Sequence, residues 1–196
     1  MKIITKFLYM VLAVLAASVM LTYNPVIVED GLNIEYDSNQ THNTEVNTAL
    51  SKIPAFILQD FMAKNGNIYF THESPAKYGA AYTYSTGLFI SDHNLLNTIL
   101  IVEGTTQPIE ETLLHEFGHY FYYEILNNEE RIRIDEIFNN TEDPEWLSMA
   151  LRDDYCTVRP KEYFAEFMMY YFSAGADMVK DLCPDTYAVI EPYFEK

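Results

Sequence analysis

The sequence predicts an α+β domain in which a small mixed sheet of three to four strands packs on one helix and is followed by a helical C-terminal half. Two observations carry this prediction. Between residues 67 and 102, short runs rich in Tyr, Phe, Ile and Thr are separated by Gly, Pro, Asp and Asn, a texture typical of strands. After residue 106, apolar residues recur at helical spacing. The length of 196 residues fits one domain with one core.

The elements can be assigned in chain order. Helical spacing appears first in Thr44–Lys64, where Pro54 predicts a division into two segments. The runs NIYF, AAYTYS, GLFIS and TILIV then supply the predicted strands. The next helix is expected to be capped by Thr106, to carry Pro108 in its first turn and to end near Leu126.

The C-terminal half is predicted to be helical. Pro160 opens a strongly apolar helix that is expected to end near Gly175, because proline suits a first helical turn and glycine suits a helix end. Further helical segments are predicted as a piece within 127–144, a candidate at 145–152, and Ala176–Leu182 or Thr186–Phe194.

The charge of the chain restricts its partners. It has 29 acidic and 12 basic residues, a formal net charge of −17, so its field repels phosphate backbones and anionic lipid headgroups. We therefore expect no nucleic-acid partner. The 16 Tyr and 12 Phe residues weakly favour a groove for a peptide or a small molecule.

The N-terminus has the pattern of a secretory signal. A basic start precedes Phe7–Leu21, an apolar run with small residues near its end. We therefore expect residues 1–22 to be a signal peptide, residues 23–196 to be the single domain, and the protein to be secreted. The alternative is a retained membrane anchor through residues 7–23. The polar stretch Asn24–Asn47 is expected to be a surface arm.

The chain has two cysteines, Cys156 and Cys183. In an oxidising compartment a single pair of this kind more often forms a disulfide than stays free. The alternative is two unpaired, buried thiols. Neither cysteine belongs to a C-x-x-C pattern, so the sequence does not indicate a cysteine zinc site.

Residues 114–120 read Leu-His-Glu-Phe-Gly-His-Tyr and carry the clearest chemical signal. His115 and His119 stand four residues apart, which on a helix places two imidazoles on one face, where both can bind one Zn²⁺. Glu116 then lies beside the remaining coordination position as a general base. The alternative, two histidines held in a helix interface, needs no metal.

A third ligand is needed. Tyr122 and Ile125 occupy the positions where the metzincin extension requires Gly and His, so that subclass is excluded. Glu162 and Glu166 lie four residues apart on the Pro160 helix, so one can bind the metal while the other holds a ligand histidine from behind. Three other histidines are conceivable ligands, but their polar or turn contexts are typical of the surface: His42, His72 and His93.

The two segments His115–His119 and Glu162–Glu166 together resemble the catalytic domain of the anthrax toxin lethal factor family, which includes the secreted Pro-Pro endopeptidases. The resemblance implies a zincin-like metalloprotease domain. It further implies that Glu162 is the third zinc ligand beside the two histidines, that Glu116 is the general base, and that Glu166 lies behind the ligands.

The same resemblance gives Tyr155 a role. The family has a tyrosine seven residues before its zinc glutamate that points at the scissile carbonyl, and Tyr155 stands in that place. The resemblance therefore implies that the Tyr155 hydroxyl donates to the oxyanion that develops during peptide hydrolysis.

The predicted function is that of a secreted zinc metalloendopeptidase with one Zn²⁺ per chain. Its protein or peptide substrate is expected to lie extended along a sheet edge, for which Tyr82–Phe89 is the candidate, and the protein is expected to be a monomer. Three alternatives remain open: a zinc hydrolase acting on esters or amides, a secreted binding protein with a degenerate site, and a toxin-like effector protease acting on a host protein.

Overall fold

The structure is a computed structural model that describes residues 32–37, 41–78, 85–91, 97–141 and 154–195. Its strands are β1 Asn33–Tyr36, β2 Asn67–Thr71, β3 Gly87–Ile90 and β4 Thr98–Val102. Its α-helices are α1 Asn43–Lys52, α2 Ala55–Ala63, α3 Ile109–Tyr120, α4 Asn128–Asn139, α5 Pro160–Ala174, α6 Ala176–Leu182 and α7 Pro184–Phe194. Short helical turns lie at Pro75–Tyr78 and Asp154–Thr157, and a π-helical turn, Phe121–Ile125, continues α3.

The four described strands form one mixed sheet in the order β1-β2-β4-β3. Strands β1, β2 and β4 run parallel, whereas β3 is antiparallel to β4. Strands β2 and β4 are the inner strands of the described sheet and β4 is the more buried of the two, while β3 is the outermost described strand on one side. The predicted α+β class with a small mixed sheet is confirmed.

Three of the predicted strand runs are confirmed as β2, β3 and β4. The run AAYTYS lies almost wholly outside the described residues. The prediction of a surface arm over Asn24–Asn47 is wrong for its later part, because Asn33–Tyr36 pairs in register with β2. This strand is short, and its side chains alternate between exposed and half-buried, so its sequence has the polarity of a loop.

The helices agree with the predictions except at the start of α3. Pro54 divides the first helical region, and the helix that begins at Pro160 ends before Gly175, whose φ of 95° favours glycine. Thr106 is not the cap of α3, because this helix begins at Ile109 with Pro108 in the cap position. Both alternatives for the final helix are correct in part, since α6 and α7 are separate helices.

A glycine allows α3 and α5 to pack closely. A Cβ atom at Gly118 would lie 2.7 Å from the Cα atom and 2.8 Å from the carbonyl oxygen of Ala165, closer than backbone atoms tolerate. Small residues at both positions therefore let the two helix backbones approach each other. Since α3 carries the two motif histidines and α5 carries Glu162, this contact sets the distance between them.

Gly118→Ala is expected to destabilise the fold by about 1–3 kcal/mol, the range found when groups are inserted into packed interiors. Because the added methyl group meets backbone, relief requires α5 to move away from α3, so zinc affinity should fall as well. Thermal unfolding and zinc titration measure the two effects. Glu111→Ala, on the exposed face of α3, is the control and should change neither. Unchanged stability and metal affinity in Gly118→Ala would contradict the close packing described above.

The cysteines do not form the expected disulfide. Cys156 and Cys183 are both buried, and neither is in a disulfide bond. The Cys183 side chain takes part in a hydrogen bond with Tyr163, and burial raises the pKa of its thiol. The Tyr163 hydroxyl also lies 2.5 Å from Thr186 Oγ1, so Cys183 belongs to a hydrogen-bonded cluster between α5 and α7. The open alternative of two buried thiols is what the structure contains.

Several predictions concern residues outside those described: the signal peptide at 1–22, the anchor at 7–23, the helix candidate at 145–152, and His93. Among the residues that the structure does describe, none forms a helix long and apolar enough to cross a membrane.

Candidate metal centre

Helix α3 presents the sequence motif as expected. His115, Glu116 and His119 are all buried, and the four-residue spacing puts both imidazoles on the face that packs against α5. Helix α5 contributes Glu162 and Glu166 to the same contact, and both carboxylates are buried as well. Burying five polar side chains is costly unless they have partners, so the interface between these helices is built around their mutual contacts.

Three ligand atoms converge on one point. The Nε2 atoms of His115 and His119 are 3.1 Å apart. Oε2 of Glu162 lies 2.9 Å from the His119 nitrogen and 3.5 Å from the His115 nitrogen. The family resemblance implied these three residues as the ligand set, and the structure brings their ligand atoms together.

The triangle of donor atoms has the size that zinc requires. Ligands at 2.0–2.1 Å from a tetrahedral ion are separated by about 3.3 Å. The separations of 2.9–3.5 Å surround this value. Two imidazoles and a carboxylate are also a donor set that catalytic zinc sites use, with a fourth position left open. The residues present therefore fit a zinc ion.

Glu166 lies behind His115, in the place that the family resemblance implied. Its Oε1 atom is 2.6 Å from Nδ1 of His115, and since a carboxylate can only accept, Nδ1 is the protonated nitrogen. The lone pair of Nε2 then faces His119 and Glu162. Burial disfavours the charged imidazole, but the hydrogen bonds to Glu162 and Glu166 outweigh it and raise the pKa of His115 to about 10. A metal and a proton therefore compete for this nitrogen.

The pKa values of the other two ligand candidates are shifted in the opposite direction. Burial lowers the pKa of His119 to about 4, which favours the neutral imidazole that binds metal. Burial alone would raise the pKa of Glu162, yet hydrogen bonds with His115 and His119 bring it well below its usual range. An ionised carboxylate and a neutral imidazole are the forms that a divalent cation needs.

Glu116 lies beside this cluster in a position suited to a base. Burial raises the pKa of its carboxyl group to about 7, although His115 and a hydrogen bond from the Phe89 backbone lower it in part. Its Oε2 atom is buried and has no hydrogen-bond partner among the residues that the structure describes. This oxygen is therefore available to accept a hydrogen bond from a water molecule beside the cluster.

Strand β3 makes room for this carboxylate. A Cβ atom at Gly87 would lie 2.6 Å from Oε1 of Glu116 and 2.7 Å from Cγ2 of Thr112. Sequence reasoning missed both Gly87 and the backbone of Phe89 as contacts of the base. Gly87, the first residue of the run GLFIS, was the one signal in the sequence for this contact, since an isolated glycine in a strand often marks a close approach by another group.

Gly87→Ala is expected to lower peptidase turnover by about 100-fold while leaving the zinc content unchanged, because the methyl group displaces Glu116 without touching the ligands. Metal analysis and initial rates on the same preparation measure the two quantities. Wild-type turnover in this variant would show that the contact with β3 does not position the base.

The remaining site predictions have different outcomes. Tyr155 belongs to the helical turn Asp154–Thr157, but its side chain is outside what the structure describes, so its catalytic role stays a prediction. His42 and His72 do not join the cluster on α3, since both face Glu103. Lys161, which precedes Glu162, has its Nζ atom 3.8 Å from Oε1 of Glu162 and brings a positive charge to the centre.

The fold and the arrangement of these side chains define a metallopeptidase-like class of protein. Within this class, the chain belongs to the anthrax toxin lethal factor family: residues 21–193 match the family described as "Anthrax toxin lethal factor, N- and C-terminal domain". The resemblance inferred from the two motif segments is thereby confirmed.

Two solved structures are similar. The Pro-Pro endopeptidase PPEP-2 from Paenibacillus alvei has a TM-score of 0.50 and 20% sequence identity, covering 82% of this chain and 97% of that chain. A candidate zinc-binding metallo-peptidase from Bacteroides caccae has a TM-score of 0.41 and 12% identity, covering 84% of this chain and 76% of that chain. A comparison with curated proteins finds no significant match.

Proposed function

We propose that the protein is a secreted zinc-dependent metalloendopeptidase in which His115, His119 and Glu162 hold the ion and Glu116 is the general base. One observation carries the proposal: two imidazole nitrogens and a carboxylate oxygen converge at 2.9–3.5 Å beside a buried glutamate. When bound, zinc supplies Lewis acidity, which polarises a peptide carbonyl and acidifies a coordinated water.

The chain's own residues supply the rest of the chemistry. Glu116 accepts a proton from the attacking water through a carboxylate oxygen and delivers it to the leaving amine. Glu166 fixes the ring of His115 through Nδ1, and Gly87 leaves the space in which the base sits. Tyr155, as the family resemblance implies, donates its hydroxyl proton in a hydrogen bond to the developing oxyanion.

The substrate is proposed to bind as an added strand along the edge of the sheet. Strand β3 supports this because it is one of the two outer strands among those described and because its Gly87 and Phe89 both approach Glu116. A peptide paired with β3 would gain main-chain hydrogen bonds and pass close to the base. Within the candidate edge Tyr82–Phe89, the described residues include the start of β3.

The pH profile of the reaction should reflect Glu116. A base works only when ionised, so kcat/KM should fall as the pH falls through the pKa of Glu116. This pKa is about 7 in the metal-free protein, and a nearby cation lowers it, which puts the acid limb below pH 7. The zinc content must be measured across the same range, because ligand protonation also removes metal. A flat profile at constant zinc content would contradict the role of Glu116.

A degenerate peptide library tests the proposed function. The secreted protein should cleave a subset of peptides, with internal cuts seen by mass spectrometry, and a zinc chelator should abolish the cleavage. Ester and amide substrates offered in parallel distinguish a peptidase from another hydrolase. No cleavage of any peptide by a zinc-loaded, folded sample would favour the alternative of a binding protein with a degenerate site.

A further inference from the structure

A second group of side chains that could bind a metal lies at the carboxyl ends of the parallel strands. Asp37 follows β1, His72 follows β2 and Glu103 follows β4. These strands are neighbours in the order β1-β2-β4, so their carboxyl ends meet at one edge. The hydrogen bonding of the sheet continues beyond the strand ends to Asp37 and Glu103. The Asp37 N–H donates to the Phe70 carbonyl at 3.1 Å, and the Glu103 N–H donates to the Thr71 carbonyl at 2.8 Å.

The three side chains present their ligand atoms to one another. One ligand atom each from Asp37, His72 and Glu103 lies within 4.8 Å of the other two. His72 Nε2 is 3.3 Å from Oε2 of Glu103. None of these residues belongs to the centre formed by α3 and α5.

Each of the two carboxylates is fixed by further contacts. One oxygen of Asp37 accepts hydrogen bonds from the Thr71 hydroxyl at 2.5 Å and from the His72 N–H at 3.2 Å. Oε1 of Glu103 lies 2.8 Å from Nε2 of His42, the residue preceding α1. His42 in turn packs against the rings of Phe70 and Tyr36 at centroid distances of 5.7 and 6.4 Å.

The three proposed ligands differ in burial: Asp37 and His72 are exposed, whereas Glu103 is buried. The Glu103 side chain is 1% exposed, that of His42 is 21% exposed and that of His72 is 55% exposed. An ion can therefore reach the group from solvent on the His72 side and contact a buried carboxylate beneath. Two carboxylates held this close repel each other, and a divalent cation between them removes the repulsion. The net charge of −17 adds a general attraction for cations.

We propose that Asp37, His72 and Glu103 form a second metal site that binds a divalent transition-metal ion such as Zn²⁺. An imidazole with two carboxylates suits zinc and its neighbours better than calcium, which prefers oxygen ligands alone. His42 is a positioning residue, since it contacts Oε1 of Glu103, whereas His72 approaches Oε2. The ion joins the ends of β1, β2 and β4, and its role is structural.

Metal binding in a background without the first centre tests the proposal. His119→Ala removes a proposed ligand of the α3 centre, so the metal-free wild type should take up about two Zn²⁺ per chain and this variant about one. Adding His72→Ala to this background should weaken the remaining site by at least about 100-fold, and adding His42→Ala by about 10–100-fold. Adding Glu73→Gln, an exposed acid next to His72, is the control and should leave it unchanged.

Two measurements keep the test decisive. Equilibrium dialysis with a competing chelator gives stoichiometry and affinity, and Co²⁺ absorption in the His119→Ala background reports nitrogen and oxygen coordination directly. Because the His72 side chain is more than half exposed, its replacement should leave the fold intact, which circular dichroism checks. Absence of a bound ion in His119→Ala, or undiminished affinity after His72→Ala, overturns the proposal. A wild type that binds one ion, lost with His119, overturns the second site alone and supports the first.

Discussion

Glu116→Ala is expected to retain close to one zinc ion per chain at the α3 centre and to lose about three or more orders of magnitude in peptidase turnover. The side chain is buried beside the ligand atoms without belonging to the triangle that they form, so its loss removes the base and the orientation of the water but no ligand. Zinc analysis and single-turnover rates on one preparation measure both quantities.

His119→Ala is the matched comparison for this experiment, because it shortens a side chain on the same face of the same helix. It should lose the metal of this centre together with the activity. The contrast between the two variants separates a base from a ligand. Near-normal turnover of Glu116→Ala on a peptide that the wild type cleaves would show that the proposed mechanism is wrong.

Glu162→Gln is expected to abolish tight zinc binding at the α3 centre, whereas Glu166→Gln should weaken it by about 10–100-fold. Oε2 of Glu162 lies within 3.5 Å of both imidazole nitrogens. Glu166 reaches only the far nitrogen of His115, at 2.6 Å, so its loss affects orientation and basicity of a ligand that is still present. Zinc titration against a competing chelator measures both affinities.

The order of these two effects is the expected result. Both substitutions are isosteric, both positions are buried, and both lie one helical turn apart on α5, so a general effect on folding should be similar for the two. Greater damage to zinc binding by Glu166→Gln would reverse the assignment of ligand and supporting residue.

The α3 centre could be predicted from the sequence because the residue spacings that specify it each lie within one helix. The spacing of His115 and His119 and that of Glu162 and Glu166 each place two side chains on one helix face. Apolar surroundings on α5 made isolated carboxylates costly, which favoured a shared site. The need for a third ligand suggested that the two helices meet, and the family resemblance then implied separate roles for Glu162 and Glu166.

What the sequence did not reveal depends on the alignment of distant segments. The contact of Gly87 with Glu116 requires the register of β3 against α3, which neither segment encodes alone. The polar strand Asn33–Tyr36 had the texture of a surface arm, and only its pairing with β2 makes it a strand. His72 has the polar context of a surface histidine, and its approach to Glu103 becomes visible only when parallel strands end together.

The cap of α3 shows a different kind of error. Thr106 has the side chain that favours a helix start, but the N-cap position is occupied by Pro108, and the helix begins at the next residue. Boundary positions depend on the path by which the chain leaves the preceding strand. The prediction located the helix correctly and misplaced its first turn.

The most direct test of the central claim is the rate of peptide cleavage by the wild-type chain after complete metal removal and again after zinc is restored. We expect no measurable cleavage by the metal-free protein and full recovery when zinc fills the site of His115, His119 and Glu162. Because the proposed second site lies on other residues, the His72→Ala variant should show the same loss and the same recovery. Peptide cleavage that persists in the metal-free protein would contradict the account.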